Sequence, residues 1–234
     1  MRLSWEYLHE HNMRIRRKPW ARPELQQCNF FIQNPTELIG KWSYQFSKSQ
    51  PLHLELGCGK GTFISKLAVL NPNINFLAID IKSEMLGLAK RNIEKEFLNV
   101  NKNVNNVLLT AFDISRISLI LNENDLVDRI YINFCNPWPR KKHNKRRLTH
   151  PRQISQYKKF LKPFGEIYFK TDNDELFFDS IDYFKDNNFE IIFKTEDLHK
   201  ANLNFPENIQ TEHEKMFSEQ NIPIKFLIAK YIKP

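Results

Sequence analysis

Leu52-His53-Leu54-Glu55-Leu56, a short apolar run, passes directly into Gly57-Cys58-Gly59-Lys60-Gly61, and Phe63, Ile64, Leu67, Ala68 and Leu70 then recur on one side of a helix. The 234-residue chain has only six glycines, and three of them, Gly57, Gly59 and Gly61, fall within these five positions. A strand, a glycine turn and a helix in that order define the first unit of an open α/β sheet. The turn lies in the crevice where such sheets bind ligands, at a helix N-terminus whose free N–H groups favour negative or polar groups. The spacing is Gly-x-Gly-x-Gly. It departs from the Gly-x-Gly-x-x-Gly dinucleotide fingerprint and so disfavours a pyrophosphate and a nicotinamide dehydrogenase.

The pattern continues in the same sense. Phe76 to Asp80 reads as a second strand, and Ser83 as the cap of a helix carrying Leu86, Ala89, Ile93 and Phe97. Val107 to Thr110, Arg129 to Phe134, Glu166 to Thr171, Phe189 to Thr195 and Lys225 to Ile232 supply further strands, with helices near Pro151 to Leu161 and Glu175 to Phe184. Alternation of this kind predicts a doubly wound, mostly parallel sheet with helices on both faces. Residues 1–50 are punctuated by Pro19, Pro23 and Pro35 and read as an N-terminal arm with one short helix near Thr36 to Phe46; residues 51–234 form the sheet domain.

Charge is concentrated. The chain carries 35 Lys and Arg against 27 Asp and Glu, and between Arg129 and Gly165 there are 11 basic residues and no acid. The rest of the chain therefore holds 24 basic residues against 27 acidic ones. A smaller acid-free cluster comprises Arg14, Arg16, Arg17, Lys18 and Arg22. Two such clusters beside a ligand-binding core are the footprint of a nucleic-acid partner. No run approaches the ~20 apolar residues of a membrane span, and Met1 to Trp20 holds no apolar signal segment, so neither a membrane nor a secretory context is expected. Cys28, Cys58 and Cys135 show neither a disulfide framework nor a paired zinc spacing, which suits a reducing cytoplasm and implies no metal.

Three acids lie in or just after strands. Asp80 is placed to accept from both hydroxyls of a ribose held over the glycine turn. Glu55, in an otherwise apolar strand, needs a cationic or N–H partner. A ligand with an adenosine part and an ammonium group would satisfy both, and Asp113 is placed to reach an adenine amino group, although an acid there is commonly a helix cap. After the fourth strand comes Asn136-Pro137-Trp138-Pro139, then Arg140-Lys141-Lys142-His143-Asn144-Lys145-Arg146-Arg147-Leu148. The prolines stiffen a loop that offers an amide and an aromatic ring to a flat base, and the cations downstream can hold its phosphates.

The sequence resembles the bacterial-type tRNA (guanine-N7-)-methyltransferases. The resemblance runs from Arg14-Ile15-Arg16-Arg17-Lys18-Pro19-Trp20-Ala21 through Glu55 to Gly61, Asn136-Pro137-Trp138-Pro139 with its basic tail, and Lys170-Thr171-Asp172-Asn173, to Thr211-Glu212-His213-Glu214-Lys215. It implies a Rossmann-like class I methyltransferase fold with seven strands, S-adenosyl-L-methionine as cofactor and the guanosine of the tRNA variable loop as substrate. By resemblance, cofactor contacts fall on Glu55, Asp80, Asp113 and Asn136, beside Gly57, Gly59 and Gly61. Substrate contacts fall on Arg140, Asp172, Thr211, Glu212, His213 and Glu214, with Lys142, Lys145, Arg146 and Arg147 in the stretch taken to contact RNA. Asn136 and Asp172 are the implied catalytic pair, and Asp172, Thr211 and Glu214 would read the guanine edge. The family usually has Asp where Asn136 stands, Lys at Arg140 and often Glu at Asp80. Rival readings are an amino-methyltransferase acting on DNA or protein, because Asn-Pro-Trp-Pro is similar to the Asn-Pro-Pro-aromatic motif, and a non-enzymatic RNA-binding protein. The sequence is compatible with a monomer or a homodimer.

Overall fold

The structure is a computed structural model and describes residues 16–201 and 209–232; Arg14 and Ile15 of the N-terminal motif lie outside the described residues. In chain order the elements are α1 (Ala21–Gln26), β1 (Phe31–Ile32), β2 (Leu52–Leu56), α2 (Thr62–Leu70), β3 (Asn75–Asp80), α3 (Ser83–Asn99), β4 (Val107–Ala111), β5 (Val127–Asn133), α4 (Pro151–Tyr157), β6 (Leu161–Thr171), α5 (Asp174–Lys185), β7 (Phe189–Thr195), α6 (Glu212–Glu219) and β8 (Lys225–Tyr231). They build one sheet in the order β1-β4-β3-β2-β5-β6-β8-β7. Strands β1 to β6 are parallel to one another, and β8 runs antiparallel between β6 and β7.

The central strands are buried on both faces, as their near-continuous apolar sequences require: Leu54, Leu56, Phe76, Leu77, Ile79, Ile130, Ile132 and Phe169 are all sealed from solvent. The chain winds outward from β2 through β3 to β4, then returns to the other side of β2 to form β5. The cleft at the carboxyl ends of β2 and β5 is therefore the sheet's switch point. A row of rings underlies it, Phe63 on Tyr131 at 5.2 Å, Tyr131 on Tyr168 at 5.5 Å and Tyr168 on Phe226 at 5.8 Å between centroids.

Three expectations are corrected. The sheet has eight strands where seven were expected, because Phe31 and Ile32 pair with Leu109 and Thr110 and extend the edge beyond β4. The single helix near Thr36 to Phe46 is instead two 3-10 turns, Pro35–Leu38 and Trp42–Gln45. Gly40 between them has φ +74, a left-handed conformation that ends any helix. Asp125 fixes this break by accepting from the N–H groups of Gly40 (2.6 Å) and Trp42 (3.2 Å), while the fully buried Trp42 donates its indole N–H to the Ile120 carbonyl at 2.6 Å. Farther upstream, Trp20 and Ala21 lie against Gly87 of α3, where a Cβ would meet the Ala21 Cβ at 2.7 Å. Arg91 then closes over the Trp20 ring at 3.6 Å and pairs with Glu24. Ser83 begins α3 but does not cap it; Lys82 occupies that position, and its N–H is held by Asp80.

Candidate active site

The first wall of the cleft is the glycine turn. Gly57 and Cys58 donate their N–H groups to the Ile79 carbonyl at 2.8 and 3.1 Å, which folds the turn back onto the end of β3. Gly57 adopts φ +82, and a Cβ there would meet nothing within 4 Å: the space over the turn is open. Gly61 differs. It also lies at positive φ (+68), but its added Cβ would strike Ala89 Cβ at 2.7 Å, so this glycine serves the contact between α2 and α3 and offers no room to a ligand. Gly59 lies between them, its nearest neighbour Met85 at 3.8 Å.

Asp80 holds this turn in place. Its Oδ2 accepts from the Gly59 N–H and its Oδ1 from the Lys82 N–H, both at 2.9 Å. Burial lifts its carboxyl above the usual value while those two N–H groups pull it back. Each oxygen retains a second lone pair for a ligand hydroxyl. Glu55 lies beneath, buried, with Oε1 accepting from Asn133 Nδ2 at 3.2 Å. Its Oε2 is buried and has no hydrogen-bond partner among the described residues. Burial raises the Glu55 carboxyl to about 8, the Asn133 bond opposes this, and the Asp80 charge adds to it. A buried carboxylate oxygen without a donor is costly and is stabilised by a cation brought to it.

The second wall follows β5. Phe134 and Trp138 are held at φ +51 and +47, and the Asn136 Oδ1 accepts from the Trp138 N–H at 2.9 Å. Arg146 stacks over the Trp138 ring at 5.0 Å and His143 meets its edge at 5.8 Å. Arg140, Lys142, Lys145 and Arg146 are exposed around the 3-10 turn Lys141–Arg146. Arg147 is not. It is buried, bonded to the Pro137 carbonyl and paired with Glu175 and Asp179, which corrects its expected place among the phosphate contacts.

Asp172 follows β6 at the same edge, half-buried. Burial raises its carboxyl, and Lys225, which donates to the Asp172 carbonyl at 3.0 Å, opposes that rise. Thr211 and Glu214 also differ from expectation. They form a capping box at the start of α6: the Thr211 hydroxyl accepts from the Glu214 N–H at 3.0 Å, and Glu214 Oε2 accepts from the Thr211 N–H at 3.3 Å. Glu214 is fully buried and pairs with Lys170 at 2.9 Å, so these side chains anchor the segment and do not reach a base. The exposed members of the motif reach both walls instead: Glu212 bridges to Lys60 of the glycine turn at 2.7 Å, and His213 stacks on Phe134, just after β5, at 5.8 Å. Asp113 lies on the surface and caps the turn Ile114–Leu119 through the Ser115 N–H, the ordinary role for an acid after a strand.

Asn133, Phe134, Lys170 and Lys225 stand beside the site without having been given a role in it from sequence, although Lys170 belongs to the motif Lys170-Thr171-Asp172-Asn173. Asn133 and Lys170 carried a signal, each being polar at the end of an apolar strand and side by side in register.

The doubly wound sheet carries an orphaned carboxylate at its first glycine turn, and a family described as "Putative methyltransferase" matches residues 49–227, which places the chain among the methyltransferases. The fold agrees. The chain superposes on the 16S rRNA methyltransferase KamB with a TM-score of 0.60 at 12% identity, covering 82% of this chain and 93% of that one. A second solved structure, an antibiotic-related methyltransferase, gives 0.56 at 19% identity, covering 83% and 90%. The chain is 61% identical to a tRNA (guanine-N(7)-)-methyltransferase of Clostridium beijerinckii over 93% of its own length and 98% of that protein, and 56% identical to one of Acetivibrio thermocellus over 93% and 99%. It belongs to the tRNA (guanine-N(7)-)-methyltransferase family.

Proposed function

We propose that this enzyme transfers a methyl group from S-adenosyl-L-methionine to N7 of a guanosine in the variable loop of tRNA, in the cytoplasm where tRNA resides. One observation carries the reading: a buried, unpartnered carboxylate oxygen, on Glu55, stands two residues before the open Gly57 turn, at the sheet's switch point.

The residues fit that cofactor. Glu55 Oε2 would take its ammonium group, Asp80 its ribose hydroxyls, and the Gly57 turn leaves the backbone accessible. When bound, S-adenosylmethionine supplies a methyl on positively charged sulfur that departs from a neutral thioether. Guanine N7 carries a free lone pair at neutral pH, so no residue need remove a proton before attack. What the chain contributes is placement, worth about 7 to 11 kcal/mol when the reacting atoms are held in line. Trp138 and the Asn136 amide form a stiff border for the base, with stacking worth about 1 to 3 kcal/mol. The Asp172 carboxylate accepts from the guanine N1–H and amino group and so selects guanine. Arg140, Lys142, Lys145 and Arg146 bind the surrounding phosphates.

Incubation with bulk tRNA and methyl-labelled cofactor, followed by nucleoside analysis, tests this. The expected product is 7-methylguanosine. Label on an exocyclic amine, or on protein or DNA, would overturn the assignment in favour of an amino-methyltransferase. Asp172→Ala should keep cofactor affinity and lose turnover, and wild-type turnover would remove Asp172 from the base site.

A further inference from the structure

In the run Arg140 to Arg147, five cations point outward and one points inward. Arg147 is 1% exposed. Its Nε donates to the Pro137 carbonyl at 2.6 Å, one terminal nitrogen pairs with Glu175 at 2.8 Å, and the other pairs with Asp179. Glu175 and Asp179 stand one turn apart on α5 with their carboxylates partly in solvent, so the guanidinium forks between two helix positions on one side and a loop carbonyl on the other.

The loop it grips is strained. Trp138 combines a left-handed φ of +47 with a following proline, which disfavours helical backbone conformations in the residue before it. A residue so held persists only where its surroundings over-determine it. Two bonds do so here, the Asn136 Oδ1 on the Trp138 N–H and Arg147 on the carbonyl immediately before Trp138. The Arg147 N–H also donates to the Asn144 carbonyl at 2.9 Å, closing the turn that carries Lys142, Lys145 and Arg146.

We infer that Arg147 is a positioning residue for methyl transfer: it locks the Pro137–Trp138 step onto α5, so that the Trp138 ring and the Asn136 amide are presented to the base in one geometry, and it contacts no phosphate. The inference rests on the reading that this loop borders the transfer site. Wild-type formation of 7-methylguanosine tests that reading separately, and the ratio of variant to wild type tests the inference.

Single-turnover methylation at saturating tRNA and cofactor is the measurement. Arg147→Lys keeps the charge but loses the fork. Its rate should fall by about ten- to a hundredfold, the penalty for a misplaced reacting group, while tRNA affinity stays within about twofold, because no exposed cation is lost. In Arg147→Met, the slope of log affinity against log salt should match wild type, whereas a phosphate-binding role would lower it by about 0.7 to 0.9. A wild-type rate in Arg147→Lys, or a reduced slope in Arg147→Met, overturns the proposal. Should either variant fail to fold, Glu175→Gln combined with Asp179→Asn loosens the same grip from its exposed end and should lower the same rate about threefold with cofactor affinity kept, as expected for loss of weak partly exposed pairs; a rate equal to wild type there overturns it equally.

Discussion

On the β2–β3 wall of the cleft the polar groups are tied to backbone: Asp80 spans two N–H groups, and the turn is folded onto the Ile79 carbonyl. On the β5–α4 wall the charged groups stand in solvent, and order comes from Arg147 and the Asn136 turn beneath them. The first wall is rigid around one small space; the second is an exposed electrostatic surface on a strained loop. A small ligand of fixed chemical identity suits the first, and a large flexible polyanion suits the second.

Substitutions of the same kind at two glycines should break this contrast most sharply. At Gly61 an added side chain meets α3 at 2.7 Å with φ at +68. Overpacking and backbone strain together should cost about 2 to 6 kcal/mol, a large part of a typical domain's stability. Gly61→Val should therefore lower the denaturation midpoint steeply and with it all activities. Gly57→Ala, where the added methyl meets nothing within 4 Å, should cost only the φ penalty of about 1 to 2 kcal/mol yet weaken the cofactor, since it intrudes on the open space. Equal stability losses at the two positions would mean that the turn has no reserved space.

Glu55 gives the next largest effect. Glu55→Gln should weaken cofactor binding by about 10- to 100-fold, in keeping with about 1.5 to 3 kcal/mol for a hydrogen bond to a charged group. It also sets a pH dependence. The Glu55 carboxyl is raised to about 8 from an ordinary 4.5, so the ligand-free fold loses stability as pH rises between those values. Buried neutral His53, lowered to about 3 from 6.5, does the opposite, losing stability as pH falls from 6.5. Between 4.5 and 6.5 the two slopes offset each other, so from these groups the fall should be seen above 6.5 and below 4.5. Glu55→Gln should flatten the upper fall alone. Cofactor binding at about pH 7 should release a proton from Glu55, visible as a calorimetric enthalpy that changes with the buffer's ionisation heat, and the Gln variant should abolish that change.

The first wall was legible in the sequence because its physics is local. Glycines at fixed offsets, an acid in an apolar strand and an acid ending the next strand are all within a span of 26 residues, from Glu55 to Asp80. The second wall was half legible. The stiffness of Asn136-Pro137-Trp138 could be read, but an arginine among arginines gives no sign that Arg147 turns inward, since that depends on Glu175 and Asp179 about 30 residues on. Thr211-Glu212-His213-Glu214 held its own answer, being the spacing of a capping box, and the substrate-contact role implied by resemblance obscured it. In the arm, α1 with six residues and β1 with two are too short for any period to show.

On the second wall, Lys142, Lys145 and Arg146 are exposed around one turn. Replacing them together by Gln should reduce the slope of log tRNA affinity against log salt by about 0.7 to 0.9 for each phosphate left without its cation, with cofactor affinity unchanged. An unchanged slope would remove the turn from the RNA interface and leave the walls without their functional division.

The smallest effect expected is at Asn136. Its Oδ1 takes the Trp138 N–H at 2.9 Å, and a carboxylate oxygen can take the same bond, so Asn136→Asp should preserve the turn and the denaturation midpoint. What changes is charge. The side chain is exposed at the cleft, where an anion would favour a positively charged sulfur nearby by about 0.5 to 1 kcal/mol, as exposed pairs do, which corresponds to a rise in cofactor affinity, and in methylation rate at sub-saturating cofactor, of about two- to fivefold. Asn136→Ala separates geometry from charge: it loses the turn as well as the polarity and should reduce turnover in the way that loosening Arg147 does. If Asp and Ala variants change the rate alike, the residue acts through neither its charge nor its bond to Trp138, and the stiffness of this loop rests on the prolines and Arg147 alone.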